Sequence, residues 1–247
     1  MIDVVYPLAN QSKRRDDFEL RFSLRSLALQ PWVRNLYLIG HCPRWIDRNT
    51  IIHIECKEVY QNNKDACIIN KILLACYDQS ISSKFVVNSD DQYFLKLIDP
   101  IEDLVPMKEP LKGIDKYHNR SNGNNWHRRV CDTVHWCNLN KYPNWVFQSH
   151  VPYIVDRRDY PLAMCKIPWG WGNGFTTHIY FNLTCEGQPV IEPKERTVRI
   201  KNQMPQKRIR GLLAKATFLN HNDSGLGPGM MEYLKQRFPV PSRWERV

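Results

Sequence analysis

The sequence predicts an α/β fold with a mostly parallel central sheet flanked by helices, on three observations. Short runs rich in Val, Ile, Leu, Phe and Tyr recur through the first hundred residues and end in polar loops. Between them lie longer stretches whose apolar residues repeat at helical spacing. The order that results is β-α-β-β-α-β, the pattern of a layered α/β unit. The third observation is Lys84–Leu95, where Phe85-Val86-Val87 suits a strand covered on both faces and runs directly into Asp90-Asp91.

Taken in order, Ile2–Tyr6 is the first buried strand, expected to stop at Pro7, with a polar, basic loop from Leu8 to Arg15. Asp16 or Asp17 is placed to cap a helix over Phe18–Leu29, on which Leu20, Leu24 and Leu27 share a face. Asn35–Gly40 and Ile51–Glu55 read as the next two strands. Asn63 is the expected cap of a helix over Lys64–Asp78, with Ala66, Ile69, Ile72, Leu73, Cys76 and Tyr77 on its apolar face. Beyond Asp99-Pro100 the elements are less sharply marked. Residues 113–127, rich in Gly, Asn and His, read as a long loop or lid, followed by a helix over Trp126–Asn138. Trp169–Gly174 reads as a packed tight turn or an aromatic platform. A last amphipathic helix runs from Pro228 to Phe238.

Composition narrows the class. A chain of 247 residues, 43% apolar and 24% charged, is expected to be globular. No run approaches the ~18 apolar residues of a membrane-spanning helix. Met1–Tyr6 carries no signal-peptide pattern, so a secreted precursor is not expected. The eight cysteines are scattered with no Cys-x-x-Cys pair, and Cys131, His135 and Cys137 lack a second ligand pair for zinc. A reducing, cytoplasmic setting is the simplest expectation. The formal charge of +10 concentrates in residues 194–215, where eight basic side chains meet one acid, a net +7. Such a basic C-terminal stripe attracts polyanions, or else forms a solvated, flexible surface loop.

Asp90 and Asp91 are the leading site candidates. Ligands of open α/β sheets bind at the carboxyl ends of the strands. Two adjacent carboxylates there repel unless a cation offsets them, and a hard divalent ion, Mg²⁺ or Mn²⁺, does so while leaving room for phosphate oxygens. A solvated Ser-Asp-Asp turn is the alternative. No Walker, Gly-x-Ser-x-Gly or dinucleotide-binding fingerprint is present.

These residues also form a recognisable set. Ile2–Tyr6, Glu19–Leu27 and Pro31–Leu38, with Asn88-Ser89-Asp90-Asp91-Gln92-Tyr93-Phe94, resemble the first two blocks of the Stealth proteins over about residues 1–97. His150-Val151-Pro152 and Asn222-Asp223 resemble the later blocks more weakly. The family consists of nucleotide-sugar-dependent sugar-phosphate transferases of capsule synthesis, with a lysosomal-enzyme phosphotransferase as an animal relative. The family's Trp-Val-Asp-Gly-Ser-Asp after the first strand is here Leu8-Ala9-Asn10-Gln11-Ser12-Lys13, with acids replaced. The resemblance, with these departures, implies a compact GT-A-type branch, of the kind encoded by phages and gut bacteria, for which plain sugar transfer stands beside sugar-phosphate transfer as the expected reaction.

On that reading the whole chain is one GT-A-like catalytic domain, with residues 1–100 binding the nucleotide sugar and 101–247 the acceptor. Asp90 and Asp91 hold the cation and the donor diphosphate. His150 is a general base, a further metal ligand or a core histidine. Asp223, with Asn222, is a base, an acceptor-holding residue or a turn residue. Lys71 and Arg25 are candidates to reach the diphosphate or to form ion pairs, and Asn10 and Ser12 lie where such folds hold the nucleotide. The +7 stripe makes DNA, through a hydroxymethylated base, a candidate acceptor. Sugar-1-phosphate transfer to a polysaccharide and a non-catalytic nucleic-acid-binding module are the competing readings.

Overall fold

The structure, a computed structural model, describes residues 1–9, 17–58, 60, 63–108, 125–147, 150–167 and 176–246. The first part of the chain gives β1 (Ile2–Leu8), α1 (Phe18–Leu27), β2 (Val33–Gly40), β3 (Ile52–Ile54), α2 (Lys64–Tyr77), β4 (Lys84–Val87) and β5 (Gln92–Phe94). There follow α3 (Pro100–Asp103), β6 (Met107–Lys108), α4 (Asn125–Leu139), β7 (Tyr153–Asp156), α5 (Asp159–Met164) and α6 (Thr176–Thr184). The chain closes with β8 (Val190–Ile191), β9 (Thr197–Ile200), α7 (Gln206–Leu213), β10 (Phe218–His221) and α8 (Pro228–Arg237).

The predicted β-α-β-β-α-β order is present, and it builds a five-stranded sheet in the order β3-β2-β1-β4-β7. The β3-β2, β2-β1 and β1-β4 pairs are parallel, and only β7 is antiparallel to its neighbour. Burial explains why β1 reads as a continuous apolar run. Val5 faces a core with Ile69, Ile72, Phe85 and Val87, whereas Val4 and Tyr6 face one with Leu20, Leu24, Leu27 and Val86. Both faces of the strand are covered, as parallel sheets require.

Two local expectations are corrected. β1 does not stop at Pro7 but pairs with β2 through Leu8 and Gly40. Residues of a parallel strand bond alternately to left and right, and Asn88 N bonds the carbonyl of Val5 on the β4 side. Pro7, two residues on, points its missing N–H to that same side, where pairing with β4 has ended at Val87. Asp17 stands at the N-cap of α1 but its side chain caps nothing, because its backbone is left-handed, with φ 53°. Its carboxylate lies 3.4 Å from His41 Nε2 instead; Asp16 lies outside the described residues. The Asn63 cap is as predicted, its side chain accepting from Ala66 N at 3.1 Å.

A second sheet lies beyond the aspartates. β5 pairs antiparallel with β10, which pairs parallel with β9. Tyr93 and Leu219 from this sheet, with Leu95 just past β5, pack against Ile209, Leu213, Met230 and Leu234 of α7 and α8. The basic stripe is thus not a loop throughout, since residues 197–200 and 206–213 form a strand and a helix. The predicted lid and the Trp169–Gly174 turn fall largely or wholly outside the described residues. No helix among the described residues is long and apolar enough to cross a membrane.

Candidate active site

The carboxyl ends of β1 and β4 open into a cleft of about 340 Å³. Its walls come from Pro7-Leu8-Ala9 at the carboxyl end of β1, Asn88–Gln92 after β4, the first half of α2, Arg129 of α4, His150, Tyr153 and Arg199. The Asp90-Asp91 turn is held in place from below and from the side. Asn88 Nδ2 donates to the Tyr6 hydroxyl at 2.7 Å, and Tyr6 meets Ser23 Oγ of α1 at 2.9 Å. Ser23 Oγ reaches the carbonyl oxygens of Ser89 and Gln92 at 3.1 and 2.6 Å. Asn220 Nδ2 of β10 donates to the carbonyl of Asp91 at 3.1 Å. Three elements, β1, α1 and β10, therefore converge on one turn, and buried bonds of this kind fix a backbone tightly.

The turn concentrates negative charge in the cleft. Enclosure in the cleft raises the pKa of Asp90, and the adjacent charge of Asp91 raises it further. Ser89 Oγ donates to Asp90 Oδ1 at 3.1 Å, and Lys64 favours the charged form from a distance. Among the described residues neither aspartate forms an ion pair. The two carboxylates fit a hard divalent ion, which takes oxygen ligands and completes its shell with water and phosphate oxygens. No group of three His, Cys, Asp or Glu side chains converges at ligand spacing among the described residues, so the pair is not part of a closed protein cage.

His150 lines the same cleft, with Nε2 2.6 Å from Arg199 Nη1. A guanidinium only donates, so Nε2 accepts and the imidazole is neutral with its proton on Nδ1. Burial pushes the His150 pKa down to about 4, and the Arg199 cation adds to the effect. Lys71, almost wholly buried on α2, also lines the cleft, where its ammonium pairs with Glu58. Burial pushes the Glu58 carboxyl up, but hydrogen bonds from Cys67 and Lys71 outweigh it and hold it below the usual value. Arg129 pairs with Asp65 across the cleft wall.

The remaining candidates stand elsewhere. Arg25 grips Glu245 with Nε at 2.8 Å and Nη2 at 2.9 Å, and donates to the carbonyl of Phe238, outside the cleft lining. Asn222 Oδ1 accepts from Gly225 N at 2.8 Å in the turn after β10, and Asp223 is exposed on that turn. Neither lines the cleft. Asn10 and Ser12 lie outside the described residues. Sequence reading passed over Arg199, Lys64, Arg129, Tyr153 and Asn220. The one available signal for Arg199 was its place in Thr197-Val198-Arg199-Ile200, which reads as a short strand rather than as one more charge in a stripe.

No protein-family model matches the chain, and no curated protein matches it. Solved structures do. An active-site mutant of LgtC superposes over 98% of this chain and 99% of its own, with TM-score 0.51 at 9% identity. LgtC, a galactosyltransferase solved with donor and acceptor sugar analogues, gives 0.49 over the same shares at 9% identity. The apo form of glycosyltransferase GlyE from Streptococcus pneumoniae TIGR4 gives 0.49 over 97% of this chain and 60% of its own, at 9% identity. The superposition on LgtC over nearly the whole of both chains identifies the architecture as the GT-A glycosyltransferase fold.

Proposed function

We propose that the chain is a nucleotide-sugar-dependent glycosyltransferase that uses a divalent cation, Mn²⁺ or Mg²⁺, held by Asp90 and Asp91. The observation that carries the reading is the pinned Asp90-Asp91 turn in a cleft at the carboxyl ends of β1 and β4. Bound there, the cation would offset the charge that develops on the departing nucleoside diphosphate. Arg199 and Lys64 bring further positive charge to the same cleft, and Arg199 is free to exchange its neutral imidazole partner for a phosphate oxygen, a stronger acceptor. That exchange would return the Nε2 lone pair of His150 to the acceptor hydroxyl or the cation. Lys71, with its Glu58 partner, forms the wall beside Leu8 and gives the donor a fixed charged edge.

The acceptor we favour is DNA, through a hydroxymethylated base. Its support is the net +7 of residues 194–215, which reaches the cleft at Arg199. The resemblance of residues 1–97 to the Stealth blocks supports a second reading, transfer of sugar 1-phosphate to a polysaccharide. The two differ in the donor bond that breaks, so free nucleoside diphosphate as product marks sugar transfer and nucleoside monophosphate marks sugar-phosphate transfer. Eight free thiols suit a reducing compartment such as the cytoplasm.

The test is thermal stability against a panel of nucleotide sugars, with and without Mn²⁺ or Mg²⁺. A ligand at about 100 times its dissociation constant adds about 2.7 kcal/mol to the folded state, a readily measured rise in melting temperature. The expected result is a metal-dependent rise with one donor, lost in Asp91→Asn. A protein that binds nucleic acid but shows no such rise with any donor is the non-catalytic module, and the enzymatic reading then fails.

A further inference from the structure

A second cavity, of about 430 Å³, lies on the other end of the β5-β10-β9 sheet from the aspartates. Its floor is apolar, from Leu95, Leu213 and Ala216, and its rim carries Lys96, Arg210 and Arg237 with no acidic residue in the lining. Each of these cations spends its hydrogen bonds on a neutral group. Lys96 Nζ donates to the carbonyl of Lys215 at 2.7 Å, Arg237 Nη2 to that of Leu95 at 2.7 Å, and Arg210 Nη2 to the amide oxygen of Gln236. Gln236 in turn donates to Glu232, a carboxylate outside the lining. None of the three forms an ion pair among the described residues, unlike Arg25, Arg34 and Arg196, which all do. Both guanidinium groups also stand close to the Tyr233 phenol, whose pKa burial raises and whose two arginine neighbours pull it back. Three cations gathered round one concavity with no counter-charge repel one another, and an anion relieves that repulsion.

We propose that this cavity binds a backbone phosphate of a nucleic-acid acceptor, a site separate from the donor cleft; the assignment rests on the DNA-acceptor reading above. The geometry supports an extended polyanion over a small one. The strand leaving Asp91 reaches Leu95 three residues after Gln92, about 10 Å at ~3.3 Å per residue. A nucleic-acid strand carries a charge roughly every 3.4 Å of helix axis, so about three phosphates span the distance between cavity and cleft. Arg199 at one end of the small sheet and Arg210 past the other then lie along one strand, with the reacting base between them and the aspartates.

The test uses the full chain with a fluorescent single-stranded oligonucleotide, titrated at several NaCl concentrations. The variant is Lys96→Gln with Arg210→Gln, two exposed positions whose bonds are to a carbonyl and an amide. Lys207→Gln with Arg208→Gln, exposed on the same helix but outside the cavity, is the charge-matched control. Removing cations that hold one backbone phosphate is expected to flatten the log Kd against log salt slope by about 0.7. The control pair is expected to change it by less than half of that, and the donor-induced melting rise is expected to survive in both. An unchanged slope in the cavity variant overturns the proposal while leaving the enzymatic reading intact. Absence of any donor-induced rise in the unmodified protein removes the enzymatic reading, while the oligonucleotide titration still reports on the cavity. Inorganic phosphate binding with the same sensitivity to the two substitutions, with no gain for the oligonucleotide, makes the cavity a small-anion site and overturns nucleic-acid docking. So does an anionic polysaccharide that shows the cavity-dependent slope when the oligonucleotide shows none.

Discussion

Asp3→Asn is the substitution whose outcome the structure fixes most tightly. Asp3 is fully buried near the amino end of β1, the end away from the cleft. Oδ1 accepts from Arg34 Nε at 2.8 Å and Asn35 N at 3.1 Å. Oδ2 accepts from Arg34 Nη2 at 2.5 Å, Ser82 N at 2.7 Å and Ser82 Oγ at 2.9 Å. An asparagine has one oxygen, so either orientation of its amide turns an NH₂ onto at least two donors. The orientation that faces Arg34 Nε and Asn35 N is the milder one, and it leaves a backbone N–H without a partner at about 1–3 kcal/mol. It also loses the charged partner of Arg34, whose side chain is 42% exposed and therefore partly screened. Together these give about 3 kcal/mol, the low end for breaking a buried pair. At roughly 2–4 °C per kcal/mol for a chain of this size, the melting temperature falls by about 6–12 °C. The sign with pH follows from the folded-state carboxyl. Burial pushes its pKa up, but the bonds from Arg34 and Ser82 win and hold it below the ordinary value. Its contribution is then present above the unfolded carboxyl pKa and is lost as pH falls through the lower folded value. Scanning calorimetry from pH 7 to pH 3 should show the variant's deficit shrinking towards the acid end. A deficit below about 2 °C at pH 7, or one that grows on acidification, refutes the argument.

Two further outcomes follow from the cleft. Gly40 has φ 104°, and a Cβ there would sit 2.2 Å from the carbonyl oxygen of Leu8 and 3.0 Å from Lys71 Cε. Gly40→Ala is expected to cost about 1–3 kcal/mol in backbone strain alone, and to weaken donor binding by displacing Leu8 and Lys71, read as paired losses in melting temperature and donor-induced shift. The raised pKa of Asp90 means that protons compete with the cation at a higher pH than for an ordinary carboxylate. Mn²⁺ affinity, measured by titration calorimetry, should therefore start to fall on acidification before the pH reaches the ordinary carboxylate range, and an affinity unchanged down to that range would place the cation elsewhere.

The parallel sheet was legible because its strands are buried on both faces. Val4, Val5 and Tyr6 could be read as a strand without knowing which residue faces which helix, since each of them is apolar for a different core. The errors arose where backbone geometry overrode residue preference. Proline is a strand breaker only if its nitrogen faces a partner, and Pro7 faces the side where β4 has ended. Asp17 is a good cap by type, yet its left-handed backbone turns the carboxylate away from the helix. The second sheet was hidden for another reason. β5, β9 and β10 are three or four residues long, too short for a period-2 pattern to be distinguished from chance.

The same contrast explains which cleft residues the sequence could show. Asp90 and Asp91 are adjacent and follow an apolar run, so their electrostatic conflict is local and visible in the sequence alone. Arg199 is different, because nothing near it in sequence tells it apart from the other cations of its stripe. Its environment comes from pairing: β9 lies beside β10, β10 beside β5, and β5 begins at the aspartates. In register, Arg199 pairs with Asn220 and Asn220 with Gln92, so a residue more than a hundred positions away is carried to the edge of the Asp90-Asp91 turn. Phe218 pairs with Phe94 at the other end of the same three strands, next to the cavity rimmed by Lys96 and Arg210. The small sheet thus sorts one basic stripe into a cation that enters the cleft beside the aspartates and cations that stay outside it. Net charge cannot make that distinction, and strand register does.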